Sequence, residues 1–223
     1  MAVITKSKGS TPSERFLAAL ADRSFLSLWA YPNVYRSAGK ELCDLLVVCG
    51  AKVIVFSDKS ISWPTSVATD VAWGRWYRRA IGHSAHQLKR AINWIRSHPD
   101  RIFLDAACTI PFPIEMPAAD KIEFHGIIVA RGAASACHDY FGSGSGSLLI
   151  SPHDCSTIEK GDVPPNPFFI GNASPIPGTV FHILDDVTLG VLLRELDIVR
   201  YEPPSPHSKP QACRWHRDRG RTE

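Results

Sequence analysis

The chain has 223 residues, 44% hydrophobic and 21% charged, with a formal net charge of +3. Those values give room for one sizeable core and exclude a disordered, fibrous or collagen-like chain. The whole excess charge falls after Glu202, where Lys209, Arg214, Arg217, Arg219 and Arg221 face only Asp218 and Glu223, so an anionic partner would have to be met by a local basic patch rather than a global field.

The six cysteines (43, 49, 108, 137, 155 and 213) form no CxxC pair and keep no tight spacing with histidine, which argues against a disulfide framework or a zinc cassette. No run approaches the 18 apolar residues of a membrane span, and the first residues lack the apolar stretch of a signal peptide. The expectation is a cytoplasmic protein with no membrane partner.

Residues 1–12 read as a polar leader. Thr11-Pro12-Ser13-Glu14 opens a helix carrying Phe16, Leu17, Leu20 and Ala21. Leu26 to Tyr35, broken by Pro32, reads as a short strand or an irregular segment. Cys43–Cys49 and Lys52–Asp58 are two strands around a tight turn, apolar on successive residues and so suited to a sheet buried on both faces. A polar loop follows, then the clearest helix of the chain: Trp73, Tyr77, Ile81, Ser84, Leu88, Ile92 and Ile95 recur at three- and four-residue steps up to Pro99. Arg101–Asp105 and Lys121–Arg131 are predicted strands. GSGSGS at 142–147 reads as a flexible linker or hairpin tip, and residues 163–178 as proline-rich loops. Thr179–Leu184 is a predicted strand before a helix over Val187–Leu196 that Asp185 and Asp186 would cap. Residues 203–223, proline-rich and then arginine-rich with almost no aliphatic side chains, cannot build a core and read as a disordered tail or a truncation product.

The hairpin places Asp44 at the start of one strand beside Ser57-Asp58-Lys59 at the end of the next. Carboxylates and an ammonium gathered at one sheet edge suit a hard divalent cation and an attacking water. On these residues and on the order helix, strand, hairpin, helix, strand, the chain resembles the PD-(D/E)xK nuclease superfamily over roughly residues 13–105. It also resembles a group of uncharacterised bacterial proteins with ELCDLLVV…FSDK and FLSLW segments.

The superfamily resemblance implies a restriction-endonuclease-like αβββαβ core in an α/β fold, a mixed sheet flanked by helices. Residues 106–202 would add strands and a helix continuous with that core. Asp44 matches the first motif acid, Lys59 the motif lysine and Gln87 the glutamine some members carry on the following helix. The family's second acid falls at Ser57. Asp58 is one residue out of register, and alternation turns adjacent strand side chains to opposite faces. Asp58 or Glu41 would therefore have to assist Asp44 as metal ligand.

The expected activity is Mg²⁺- or Mn²⁺-dependent phosphodiester hydrolysis on nucleic acid, DNA ahead of RNA. The alternative is an inactive nuclease-fold module that binds nucleic acid or a protein. Arg75, Arg78, Arg79, Lys89 and Arg90, on a helix with no acid between Asp70 and Asp100, would contact phosphate. Trp73, Trp76, Tyr77 and Trp94 read as a core-facing stripe, with base-stacking platforms as the alternative. Cys137-His138 and Asp154-Cys155 are a minor option for nucleophilic chemistry.

Overall fold

The computed structural model describes residues 6, 7, 9, 11–24, 26–118, 120–151 and 163–198. The first helix, α1 (Pro12–Ser24), starts with a reciprocal capping box. Glu14 N–H donates to Thr11 Oγ1 at 3.2 Å, and Thr11 N–H donates to Glu14 Oε2 at 3.3 Å. A single short turn, α2 (Leu26–Trp29), leads into β1 (Ala30–Ser37). Of the two readings of Leu26 to Tyr35, short strand or irregular segment, the strand holds from Ala30 on, and a helical turn precedes it. Pro32 is tolerated because β1 is the edge of the sheet, whose strand partner is β2 (Lys40–Cys49) on one side and which meets only an isolated bridge, at Tyr35, on the other.

The hairpin of β2 with β3 (Lys52–Ser60) closes through Gly50-Ala51, with Gly50 at φ 57° in the position that favours glycine. Its successive apolar residues separate onto two covered faces. Leu46, Val48, Val53 and Val55 pack under the long helix, whereas Leu45, Val47 and Phe56 pack with Leu17 of α1 and Leu189. The long helix consists of α3 (Thr69–Tyr77), a π-helical turn (Arg78–Gly82) and α4 (His83–Ser97). Trp73, Trp76, Tyr77, Ile81, Leu88, Ile92 and Ile95 form its buried stripe. The aromatics of α3 are therefore core, and the stacking-platform alternative does not hold for them.

The strand expected at Arg101–Asp105 does not join the sheet. Phe103 makes only isolated bridges to Tyr35 and Pro111, and Asp105 folds the chain back by accepting the N–H groups of Thr109 and Ile110 at 2.9 and 2.7 Å. The strand after the helix is β4 (Glu123–Arg131), parallel to β3 along its whole length. Next come α5 (Ala134–Phe141), the two-residue strands β5 (Leu149–Ile150) and β6 (Phe169–Ile170), and β7 (Val180–Leu184) parallel to β4. The last element is α6 (Asp186–Ile198), capped by Asp185, whose Oδ1 accepts from the N–H groups of Val187 and Thr188.

The fold is α/β: a mixed five-stranded sheet, order β1-β2-β3-β4-β7, with helices on both faces. Two of its five strands come from beyond residue 105, so residues 13–105 do not close a sheet of their own and the later residues continue the same layer. The GSGSGS stretch is a largely exposed turn tied down at both ends rather than a free linker. Gly142 ends α5 in the left-handed region, and Ser147 Oγ and Leu148 N–H both donate to Asp185 Oδ2. The expected tail at 203–223 and the Asp154-Cys155 pair lie outside the described residues. Among the described residues no helix is long and apolar enough to cross a membrane.

Candidate functional site

Strands β2 and β3 are paired from Cys49↔Lys52 to Leu45↔Phe56 and then part. Beyond that point β2 pairs with β1 alone, and β3 with β4 alone. Asp44 stands where they separate and is buried; its Oδ2 accepts the main-chain N–H of Asp58 at 2.5 Å. The carboxylate thus satisfies a donor that the parting strands leave without a main-chain acceptor.

By alternation Ser57 and Lys59 face the long helix together with Val53 and Val55. Ser57 Oγ donates to Gln87 Oε1 of α4 at 3.4 Å. Lys59, His83, His86, Gln87, Lys89 and Arg90 line an open pocket of about 530 Å³. Gln87 and Arg90 also line a smaller pocket with Arg36, Glu41, Leu42 and Ala91. The fold therefore brings Asp44, Glu41, Lys59 and Gln87 to one fork of the sheet, beside two of the expected phosphate contacts, Lys89 and Arg90. Arg75, Arg78 and Arg79 are exposed farther along the helix and line neither of these pockets.

A further acid, Glu14 of α1, joins this group, although in the sequence it signals only a helix start. Asn33, buried and at φ 49°, bridges the two glutamates: its Nδ2 donates to Glu14 Oε2 at 3.1 Å and to Glu41 Oε1 at 2.7 Å. Glu41 is exposed as a residue, yet partial desolvation raises its carboxyl above its ordinary value; the Asn33 hydrogen bond opposes this, the charges of Asp44 and Glu14 add to it, and Lys59 offsets part of it. Burial likewise raises Asp44, against the pull of Lys59 and the Asp58 N–H. Carboxylates held at such a cost in ionisation are suited to a compensating cation.

Asp58 does not belong to this group. Its side chain is fully buried on the other face of the sheet, where Arg131 Nε and Nη2 donate to its two oxygens at 3.0 and 3.3 Å. Arg131 also reaches Asp186, at the start of α6, at 3.8 Å. The ligand and catalytic roles expected of Asp58 do not fit this geometry. Alternation along β3 dictates it, and no bulge re-aims the residue, because the parallel register with β4 runs unbroken through Ser57, Asp58 and Lys59.

The Cys137-His138 option fails on burial. The Cys137 thiol donates to Ser147 O, and its pKa is pushed up to about 11, first by burial and then by Asp185; that keeps it far from a nucleophilic thiolate.

Among the described residues no three His, Cys, Asp or Glu side chains are arranged to hold a metal ion. Mg²⁺ commonly takes one or two carboxylates and completes its shell with water and substrate phosphate. The donor chemistry of Asp44 and Glu41 fits a cation shared with a substrate, and it does not fit an all-protein cage. Comparison with known proteins returns no match by family model, by curated sequence or by solved structure.

Proposed function

We propose that the chain is a nuclease-like protein of the PD-(D/E)xK kind, hydrolysing phosphodiester bonds in nucleic acid, DNA ahead of RNA, with Mg²⁺ or Mn²⁺. The observation that carries this reading is the convergence of Asp44, Glu41 and Lys59 at the fork between β2 and β3, below a pocket walled by Gln87, Lys89 and Arg90. Asp44 and Glu41 would hold the cation, which when bound offsets charge developing on a phosphoryl group. Lys59 positions the attacking water. Gln87 keeps Ser57 and the pocket wall in register, and Lys89 and Arg90 neutralise the phosphates on either side. The proposed setting is the cytoplasm, in keeping with the free thiols of Cys43, Cys49, Cys108 and Cys137.

The second reading, a nuclease fold that binds nucleic acid without cutting it, is favoured by one specific observation. Ser57 occupies the position where an acid would complete the ligand set, and its hydroxyl is spent on Gln87. One experiment separates the two: cleavage of single- and double-stranded DNA and of RNA with Mg²⁺ or Mn²⁺, by wild type, Asp44→Asn and Lys59→Ala. Metal-dependent cutting lost in both variants supports the nuclease. Salt-sensitive binding without cutting selects the binding module, and neither cutting nor binding rejects both.

A further inference from the structure

A third cavity, of about 490 Å³, opens at the same end of the sheet, where β3 and β4 finish. Trp63 and Tyr140 stand at its wall, joined behind it by the ring of Phe168. Trp63 stacks on Phe168 with centroids 5.0 Å apart and planes at 23°, and Tyr140 lies 5.2 Å from Phe168. Tyr140 is half exposed, whereas Phe168 is wholly buried. Ser135, Asp139 and Thr69 add hydroxyl and carboxylate groups to the lining.

Phe168 is held at φ 65°, a backbone conformation costly for a bulky side chain, and its carbonyl is fixed by the Leu149 N–H at 2.9 Å. The strain holds a buried aromatic ring behind the cavity wall, against Trp63 and Tyr140.

The cavity is tied to the phosphate pocket. Trp63 follows Lys59 by four residues, so the two lie within about 14 Å of each other. The exposed Arg75, Arg78 and Arg79 lie on the helix between Thr69 at this cavity and His83 at the other pocket. A polyanion lying along those cations would carry its bases past the aromatic surface. A base can enter only if it is unpaired, because in a duplex its faces are covered by its neighbours.

Resting on the nucleic-acid reading above, we infer that this cavity takes an unpaired base, stacked on Tyr140 beside Trp63 with the buried Phe168 as their backing, so that the preferred substrate is a single strand or a strand with an unpaired end. This assigns the cavity to recognition and leaves the chemistry at the β2–β3 fork.

The test is fluorescence anisotropy with the full chain in EDTA, so that no cleavage intervenes. The probes are a labelled single strand of about 12 nucleotides, its duplex, and the same strand with abasic positions. Expected are tighter binding of the single strand than of the duplex and at least about a fivefold loss of single-strand affinity in Tyr140→Ala. Duplex binding should be unchanged, Tyr140→Phe should bind as wild type, and the abasic strand should no longer distinguish Tyr140→Ala from wild type.

If Tyr140→Ala and Trp63→Leu bind the single strand like wild type while Lys89→Ala weakens every probe, the cavity assignment is overturned and the nucleic-acid reading stands. If wild type prefers the duplex, the assignment is likewise overturned. If no probe binds in EDTA, the cavity assignment falls, whereas the nuclease reading, whose cation is shared with the substrate, is decided by the metal-dependent cleavage assay.

Discussion

Asp44 and Asp58 meet through unlike atoms: the carboxylate of the first accepts the main-chain N–H of the second, while the carboxylate of the second turns through the sheet to Arg131. Two acids that look interchangeable in the sequence thus serve opposite faces. One holds open the fork at the candidate site, and the other ties β3 to β4 and to α6.

Asp44 therefore has a structural duty besides its proposed chemical one, and two substitutions separate them. Asp44→Ala leaves the buried Asp58 N–H without its acceptor and should cost about 1–3 kcal/mol in urea unfolding. Asp44→Asn keeps an acceptor oxygen and should unfold close to wild type, yet lose metal-dependent cleavage.

The pH dependence follows from the raised carboxyls. Asp44 and Glu41 titrate above their ordinary values of 3.8 and 4.5, so between those values and the raised ones the folded protein binds more protons than the unfolded chain. Stability should then fall as pH rises through that window and stay lower above it. Thermal unfolding of Asp44→Asn and Glu41→Gln across the window should show a shallower fall. Added Mg²⁺ should restore stability to wild type above the window and do less for either variant.

Ser57→Asp would place an acid on the face that Lys59 and Gln87 share. Without a cation, a second carboxylate beside Asp44 in this buried setting should lower stability by about 1–3 kcal/mol. With Mn²⁺ the loss should be recovered and cleavage should rise. A variant whose melting temperature ignores the metal would count against a cation site at the fork.

The buried pair of Asp58 with Arg131 predicts the converse profile. Removing Asp58 leaves the Arg131 guanidinium only its longer ion pair with Asp186, so Asp58→Ala should destabilise by about 3 kcal/mol. Asp58→Asn should retain cleavage per folded molecule, because the carboxylate does not reach the fork. Denaturant unfolding and single-turnover cleavage on the same preparation check both statements.

Phosphate contacts have a salt signature. Lys89→Ala and Arg90→Ala should each weaken nucleic-acid binding and reduce the salt dependence of the binding constant by about one unit of slope. Arg75→Ala should have a smaller effect on a substrate too short to pass the π-helical turn.

Much of the sheet was legible because its code is local. The successive apolar residues of Leu45 to Val48 and Val53 to Phe56 announce burial on two faces, and both faces are covered. The three- and four-residue steps from Trp73 to Ile95 give the long helix, and the place of Gln87 next to Leu88 sets it at the packed border where Ser57 meets it.

What escaped depends on distant partners. Arg101–Asp105 has strand composition, but membership of a sheet is decided by what it can pair with, and Asp105 spends its carboxylate on a turn instead. The alternation rule turns Asp58 away from Asp44, yet the Arg131 that claims it stands 73 residues later. Glu14 carries a capping signal that hides a second bond, to Asn33, which only the packing of α1 on β1 creates.

The π-helical turn between α3 and α4 governs more than the course of a helix. Each of its hydrogen bonds spans one residue more than in an α-helix, so α4 is rotated by about 100° from the azimuth that an uninterrupted α3 would give it. The distance from Lys59 and Ser57 to Gln87 and Arg90 is thus a matter of helical phase. Deleting one residue within 78–82 would let the turn close as ordinary α-helix and leave that wall in place, whereas closing it with every residue kept would swing Gln87 and Arg90 sideways; the extra residue is what sets their phase against the strand carboxylates.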